Sequence, residues 1–355
     1  TLDLGGSVSN TSGNGRSASD LSVKQLLTDG GKTRATIAGA SYDLSAERKD
    51  AIRTWQERAY AVKEAFFTLL RSREDAAVAV ETVALYETQL RQAQAFYKAG
   101  SSAKIDVTAA EVNLSQARLE LAKARSTASV SLASLENAVG TPLPDRNAVL
   151  AVPPEASVAI PPLEGVIGEA LSNRPDLLAG EDRLLSAGET LKATAKGLNP
   201  SLSLGGGWGF SDSSSGWSDE WTASLSLSIP LYDGGATAAR TEASRADLEI
   251  TRASQQKLRN QVRLEVETAL LELETASEQV KTSETALRQA EENLRLAQGR
   301  YRVGVGTSLE VTDASEKYSS ARKALVQARY DRQVAAAALG QALGRPVEIP
   351  KEETK

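Results

Sequence analysis

Residues 221–235 read WTASLSLSIPLYDGG, a strand pattern followed by a break in regular structure. From Trp221 to Leu231 every second residue is apolar, and the residues between them are Thr or Ser as far as Ser228. Because successive side chains of a strand point to opposite faces, this alternation predicts one apolar face and one hydroxyl-bearing face. A strand that crosses a bilayer at a tilt needs roughly 9–11 residues, which this stretch provides.

Three other segments resemble this strand. Residues 202–210 have large apolar side chains with the same parity and predict its hairpin partner, while residues 2–6 and 21–27 repeat the pair near the start of the chain. Loops rich in Gly, Ser and Asn separate the strands of each pair, at 10–19 and 211–218. Such hairpins can pack on a soluble core, and they can also form part of a membrane barrel with surface loops.

Two features favour the membrane interpretation. The second face of the strands is nearly all Ser and Gly, which suits a water-filled lumen, and no other apolar layer in the chain is large enough to cover four such strands. Trp208, Trp217 and Trp221 also cluster at one strand end, where an interfacial aromatic belt is expected. Four strands have two open edges, and open edges are not tolerated in hydrocarbon. This interpretation therefore requires several chains to share one barrel.

The chain contains an internal duplication with a constant offset of 204 residues. The break at 27–31 returns at 231–235, as seen by comparing LTDGG with LYDGG. Two further pairs of segments keep the same offset: 97–100 with 301–304, and 138–142 with 342–346. No gap opens between these anchors. The sequence therefore predicts two tandem structural repeats in which the length of each element is constrained.

Each repeat contains a very long helical pattern. Residues 32–98 contain no proline, and apolar residues recur at spacings of three and four, so we predict a helix of roughly 100 Å. The return arm, 107–139, is about half as long, and residues 181–196 are the natural candidate to continue it. Helices of this length pack side by side, as in a coiled coil or a helical barrel. The stretch 142–162 contains six prolines and predicts a connector.

Composition excludes several function classes. The chain has no cysteine and no histidine, which removes the usual zinc ligands and most nucleophilic and acid–base catalysts. We therefore predict no enzyme activity, no cofactor and no metal site. A net charge of −5 gives no basic surface for nucleic acid. A soluble coiled-coil scaffold is the main alternative, and it explains the helices but neither the strand pairs nor the repeat.

Several motifs together resemble the TolC-type outer-membrane efflux proteins. They are the LYDGG junction at 231–235, the turn YRVGVGTSLEVTD at 301–313 and the NRPDL segment at 173–177. The order of elements along the chain, a strand pair followed by a helical hairpin and then both again, is also similar. The resemblance implies a mainly α homotrimer with a membrane β-barrel of 12 strands, four from each chain, continuing into a long α-helical barrel.

The function that the resemblance implies is that of an exit duct in the outer membrane of a Gram-negative bacterium. The duct would passively conduct substrates in a tripartite efflux or type I secretion system. Its partners would be a periplasmic adaptor (membrane fusion) protein, a proton-driven or ABC-type inner-membrane pump, and outer-membrane lipid.

Residues 1–28 and 200–232 would form the barrel with its extracellular loops. The periplasmic helical barrel would comprise 32–140, 180–198 and 236–344, with 141–179 and 345–355 as equatorial linkers. Family members have a helical segment before the first strand pair, so we expect N-terminal sequence, including any signal peptide or lipid-anchor cysteine, to be missing here.

The resemblance also assigns an entrance gate at the periplasmic tips. Its residues would be Asp106, Tyr301, Glu310 and Asp313, and the turns that contact the adaptor would contain Gly100, Gly304 and Gly306. Three chains would place six carboxylates from Glu310 and Asp313 around one axis. From residue chemistry alone, these two acids are equally well explained as solvated residues that stabilise a helix N-terminus. A family arginine of the gate falls on Gly306, so the ion-pair lock is expected to differ.

Overall fold

The computed structural model describes residues 2–11, 16–144, 161–213 and 216–346. Its described residues form six helices and four strands, in the order β1, β2, α1, α2, α3, α4, β3, β4, α5, α6. The chain divides into two compact units, residues 1–50 with 176–259 and residues 51–175 with 260–355. The fold is therefore mainly helical with one small sheet, as the sequence predicts. No described helix is long and apolar enough to cross a membrane.

The two outgoing helices have equal length. Helix α1 runs over Lys32–Lys98 and α5 over Ala236–Arg302, each of 67 residues, which confirms the predicted unbroken helix. Both begin after an Asp-Gly-Gly segment. Asp29 Oδ2 accepts a hydrogen bond from the Thr33 amide at 2.7 Å, and Asp233 Oδ2 accepts one from the Thr237 amide at 2.7 Å. These carboxylates cap free amides of the first helical turn, which is why each helix begins here.

The return helices are about half as long. Helix α2 runs over Lys104–Val139 and α6 over Ser308–Ala342. The predicted start of the return arm at Val107 was wrong by three residues, since the break lies at Ala103, which is extended. We call α1 with α2 hairpin one, and α5 with α6 hairpin two.

Two shorter helices precede the second strand pair. Helix α3 covers Leu163–Asn173, inside the stretch that we assigned to a linker, and α4 covers Pro175–Ala195. The helix predicted over 181–196 is therefore present but begins six residues earlier. Its start at Pro175 is physically favourable, because proline at the first helical position loses no hydrogen bond. Most of the proline-rich connector lies outside the described residues.

Small apolar residues hold hairpin two together. One cluster of buried residues consists of Leu294, Ala297, Val311 and Ala314, and a second of Val280, Leu325 and Ala328. Alanine at these positions lets α5 and α6 approach closely with few side-chain rotamers to fix. The frequent alanine in the long helical stretches therefore serves close packing.

The four strands form one antiparallel sheet in the order β1-β2-β3-β4. The strands are Leu2–Thr11, Arg16–Thr28, Ser201–Ser213 and Gly216–Ser228. They extend well into both predicted loops, so the connections are shorter than expected from 10–19 and 211–218. Strand β4 ends at Ser228 rather than at Leu231, in keeping with Pro230, which has no amide to donate to a ladder.

Candidate functional site

The register of the sheet places large apolar side chains in rows on one face. Trp208 lies opposite both Leu21 and Trp221, and Leu204 lies opposite Leu225. These side chains are not buried in the single chain, since Trp221 is 78% exposed and Leu225 is 67% exposed. The face is therefore a mostly apolar surface that nothing in the described chain covers.

The aromatic residues of this face lie near one end of β3 and β4. The Trp208 ring contacts Phe210 at 4.7 Å between centroids, and Trp217 lies opposite Asp212, nearer to the connection between the two strands. Trp217 and Trp221 share the same strand parity and therefore the same face. The structure thus places the three tryptophans on one face of the sheet.

The other face of the sheet is mostly polar, and its β3 positions are all Ser or Gly. Gly205 and Gly207 of β3 lie opposite Ser224 and Thr222 of β4. A Cβ added at Gly205 would lie 2.7 Å from the Ser224 Oγ, and one at Gly207 would lie 2.9 Å from the Thr222 Oγ1. The glycines therefore leave room for the hydroxyls to lie over β3. This face suits contact with water.

The two helical hairpins end in turns of the same length. Gly100 and Gly304 have φ angles of +73° and +77°, a conformation that favours glycine. Gly306 has a different role, because a Cβ there would lie 2.9 Å from the Arg300 Cβ and 3.0 Å from the Tyr301 amide. Its amide donates to the Arg300 carbonyl at 3.1 Å. Gly306 is thus required by close packing of the turn.

Asp106 joins the two hairpins at these turns. Its carboxylate accepts hydrogen bonds from the hydroxyls of Ser102 and Ser308, both at 2.6 Å. These bonds, that from Ser102 above all, lower the pKa of Asp106 below its usual value near 3.8. Asp106 therefore remains ionised at neutral pH and is held by serines of both hairpins.

Tyr301 packs beside this contact. Its ring meets Phe96 edge to face at 5.1 Å, and its buried hydroxyl has no hydrogen-bond partner among the described residues. Burial raises the pKa of Tyr301, and the Asp106 charge adds to the effect. The structure therefore brings Asp106 and Tyr301 together without a hydrogen bond between them.

The two remaining predicted gate acids each pair with a cation. Glu310 Oε2 lies 3.5 Å from the Arg300 Nε, and Asp313 Oδ2 lies 2.8 Å from the Lys317 Nζ. All four side chains are substantially exposed. Within one chain, the negative charge of each acid is therefore partly neutralised by a nearby cation. We did not predict these ion pairs from the sequence. The sequence does contain a signal for the second pair, since Lys317 follows Asp313 by one helical turn.

Among the described residues, no group of three or more acidic, His or Cys side chains could hold a metal ion. Ser102 and Ser308 were missed from sequence because serine near a helix start is usually explained by capping.

The junction between β2 and α1 has a second set of contacts. The Asn199 side-chain amide donates to the Gly30 carbonyl at 3.2 Å, and the Lys196 ammonium donates to the Gly31 carbonyl at 3.2 Å. Both donors follow α4. They fasten the end of that helix to the first Asp-Gly-Gly break.

The model of the family described as "Outer membrane efflux protein" matches residues 1–141 and 166–345. The chain belongs to the outer membrane efflux protein family. It is accordingly an outer-membrane protein of efflux systems and not an enzyme, which confirms the resemblance seen in the sequence.

Individual relatives and solved structures agree with this assignment. The chain is 29% identical over 330 residues to the outer membrane efflux protein BepC of Brucella suis, covering 92% of this chain and 71% of BepC. It is 24% identical over 349 residues to the probable efflux pump outer membrane protein TtgC of Pseudomonas putida, covering 97% of this chain and 66% of TtgC. Its fold is similar to that of CusC, with a TM-score of 0.82 at 20% identity, covering 97% of this chain and 82% of CusC. It also resembles VceC of Vibrio cholerae, with a TM-score of 0.79 at 20% identity, covering 97% and 86% of the two chains.

Proposed function

We propose that three copies of this chain form a passive exit duct through the outer membrane, continuous with a helical barrel in the periplasm. The observation that carries the proposal is the four-stranded sheet, which has an exposed apolar face, a Ser/Gly face and two unpaired edge strands. Lipid would cover the first face and lumen water the second.

The two open edges of the sheet require several copies of the chain to assemble. The outer backbone groups of β1 and β4 are unpaired in the sheet, and each unpaired group costs several kcal/mol in hydrocarbon. Pairing β4 of one copy with β1 of the next closes a ring of 12 strands from three chains. If the protein were a soluble scaffold, nothing would cover the apolar face of the sheet. The duct therefore explains the sheet as well as the helices, whereas the scaffold explains only the helices.

The helices supply the periplasmic part of the duct in this proposal. Residues 32–140, 180–198 and 236–344 would line it, with 141–179 and 345–355 as the equatorial region. The hairpin turns would form its entrance. There Asp106, held by Ser102 and Ser308, would keep the hairpins together at rest, and Glu310 with Asp313 would ring the opening.

An adaptor protein would dock on the exposed side of hairpin one. Ile105, Val112 and Leu119 recur at intervals of seven on α2 and are 75%, 63% and 49% exposed. At the corresponding positions of α6, Val112 and Leu119 are replaced by Glu316 and Lys323. An apolar stripe on one hairpin only suits an apolar helix of a partner. TtgC, which is named as an outer membrane protein of an efflux pump, supports a pump as a partner.

Planar-bilayer recording tests the duct. The purified protein should give discrete conductance steps without nucleotide, and the variant Asp106→Ala with Ser308→Ala should conduct more, because it loses the contact between hairpins. A Ser101→Ala variant is the control, since the Ser101 Oγ donates to the Phe96 carbonyl of its own hairpin. A folded trimer that conducts in neither form would contradict the proposal.

Val112→Glu, which copies Glu316, tests the adaptor surface separately. It should abolish export in cells and leave the bilayer conductance unchanged.

A further inference from the structure

A cavity of about 400 Å³ lies between the two hairpins, close to their turns. It is lined in part by Ala93 of α1 and Val311 of α6, which are only 3% and 2% exposed. Ile105 of α2 and Leu309 of α6 also line it, and they are 75% and 74% exposed. Small-molecule sites occupy roughly 300–1,000 Å³, so this cavity has the size to take a small organic molecule. The apolar part of such a molecule would cover the two exposed side chains.

Two polar contacts between α2 and α6 lie at this cavity. Close to the turns, Ser308 donates to Asp106 at 2.6 Å, and further along the helices Asn113 Nδ2 lies 3.4 Å from Thr312 Oγ1. All four residues line the cavity. Because both contacts join the same two helices, they hold α2 and α6 at a fixed separation. The cavity is therefore formed within the chain before any ligand binds.

One side of the cavity carries a negative charge that is not neutralised within the described part of the chain. Hydrogen bonds from two serines lower the pKa of Asp106, so its carboxylate is ionised at neutral pH. Glu310 and Asp313 each pair with a cation, but no described side chain forms an ion pair with Asp106. A carboxylate can accept about four hydrogen bonds, so these two serines leave it able to accept from a further donor.

A second polar group of the cavity is the hydroxyl of Tyr301. It is buried and has no hydrogen-bond partner among the described residues. Burial raises the pKa of Tyr301, and the Asp106 charge adds to the effect, so the phenol stays neutral. A buried hydroxyl without a partner is unfavourable, and its oxygen can accept a hydrogen bond. A cationic donor in this cavity therefore meets both a free acceptor and an unpaired negative charge.

We infer that this cavity binds a small primary ammonium ion with an apolar body. The ammonium group donates to Asp106 and Tyr301, and the apolar body lies against Val311, Ile105 and Leu309. The cavity is formed by one chain, so the inference does not depend on the proposed trimer. Because α2 belongs to hairpin one and α6 to hairpin two, the bound cation links the two hairpins near their turns.

Titration calorimetry of the detergent-solubilised protein tests the site, with the heat of titration into detergent alone subtracted. The probe is 4-phenylbutylammonium, and 4-phenylbutanol is the matched neutral compound with the same hydrocarbon. The amine should bind more tightly than the alcohol by about tenfold or more, because a charge-assisted hydrogen bond is lost with the alcohol. Asp106→Asn should weaken amine binding by a similar factor. Glu111→Gln is the control, since this exposed acid of the same helix lies outside the cavity.

A second variant keeps the charge and removes the space. Ala110 lines the cavity, and Ala110→Leu should abolish amine binding because the larger side chain occupies the volume. It also decides the matter if Asp106→Asn does not fold. Equal affinities for the amine and the alcohol would overturn the inference, as would an affinity that Asp106→Asn or Ala110→Leu leaves unchanged. Each of these results would leave the proposed duct intact, whereas a folded trimer that does not conduct would overturn the duct and not the binding site.

Discussion

The substitution Gly30→Ala should be far more harmful than the same change at Gly234, its counterpart in the second repeat. Both glycines have positive φ, +66° and +68°, so each alanine pays the left-handed penalty of about 1–2 kcal/mol. Their surroundings differ. A Cβ at Gly30 would lie 2.4 Å from Asn199 Nδ2 and 2.6 Å from its Cβ, whereas one at Gly234 meets nothing within 4 Å.

The difference in the free energy of unfolding can be worked from these contacts. Displacing Asn199 breaks its bond to the Gly30 carbonyl, which contributes about 1 kcal/mol. Forcing a methyl group into the occupied space costs a further 1–3 kcal/mol or so. Gly30→Ala should therefore be less stable than Gly234→Ala by about 2–4 kcal/mol.

Denaturant titration in detergent, followed by tryptophan fluorescence, measures this difference. Asn199→Gly removes the atoms that collide, so in that background Gly30→Ala should cost only the left-handed penalty. Equal destabilisation at positions 30 and 234 in the parent, or no relief from Asn199→Gly, would refute the reasoning.

Three further predictions concern the entrance. Inserting four residues after Ala95 should rotate and displace the tip of hairpin one by roughly 5–6 Å and reduce export, whereas undiminished export would show that the tips do not act as a matched set. Replacing Glu310 and Asp313 together by Ala should weaken cation selectivity and the block by a trivalent cation in single-channel recordings, with trimer stability nearly unchanged, since exposed ion pairs contribute little. The contact between Asp106 and Ser308 should depend on pH. Because the pKa of Asp106 in the folded protein lies below 3.8, the contact stabilises the tip fully above that pH and is lost as the pH falls further. Conductance should therefore rise only in strong acid, and Asp106→Asn should abolish this response.

Much of the fold was predictable because its elements are long and strongly periodic. The bounds of α1 follow from an uninterrupted run between a Gly-Gly break and Gly100, and the strand faces follow from strict alternation in β4. Strand ends were predicted less well. Ser and Asn at the hairpin tips signal loops locally, but pairing with the neighbouring strand extends β1 to Thr11.

The candidate site was predictable in position but not in its bonds. The duplicated turns located Gly100 and Gly304, and the resemblance pointed to Asp106. The partners of Asp106 depend on how hairpin two lies against hairpin one, so Ser308, 202 residues away, carried no local signal. The pairing of Glu310 with Arg300 likewise depends on the tight turn at Gly306.

The number of chains in the detergent-solubilised particle is the most direct test of the proposed duct. Native mass spectrometry of the folded protein should give three copies of the 37.6 kDa chain, and heating should convert the particle to monomers. A trimer is required because neither edge of the four-stranded sheet has a partner within the sheet. A folded, lipid-inserted particle containing a single chain would contradict it.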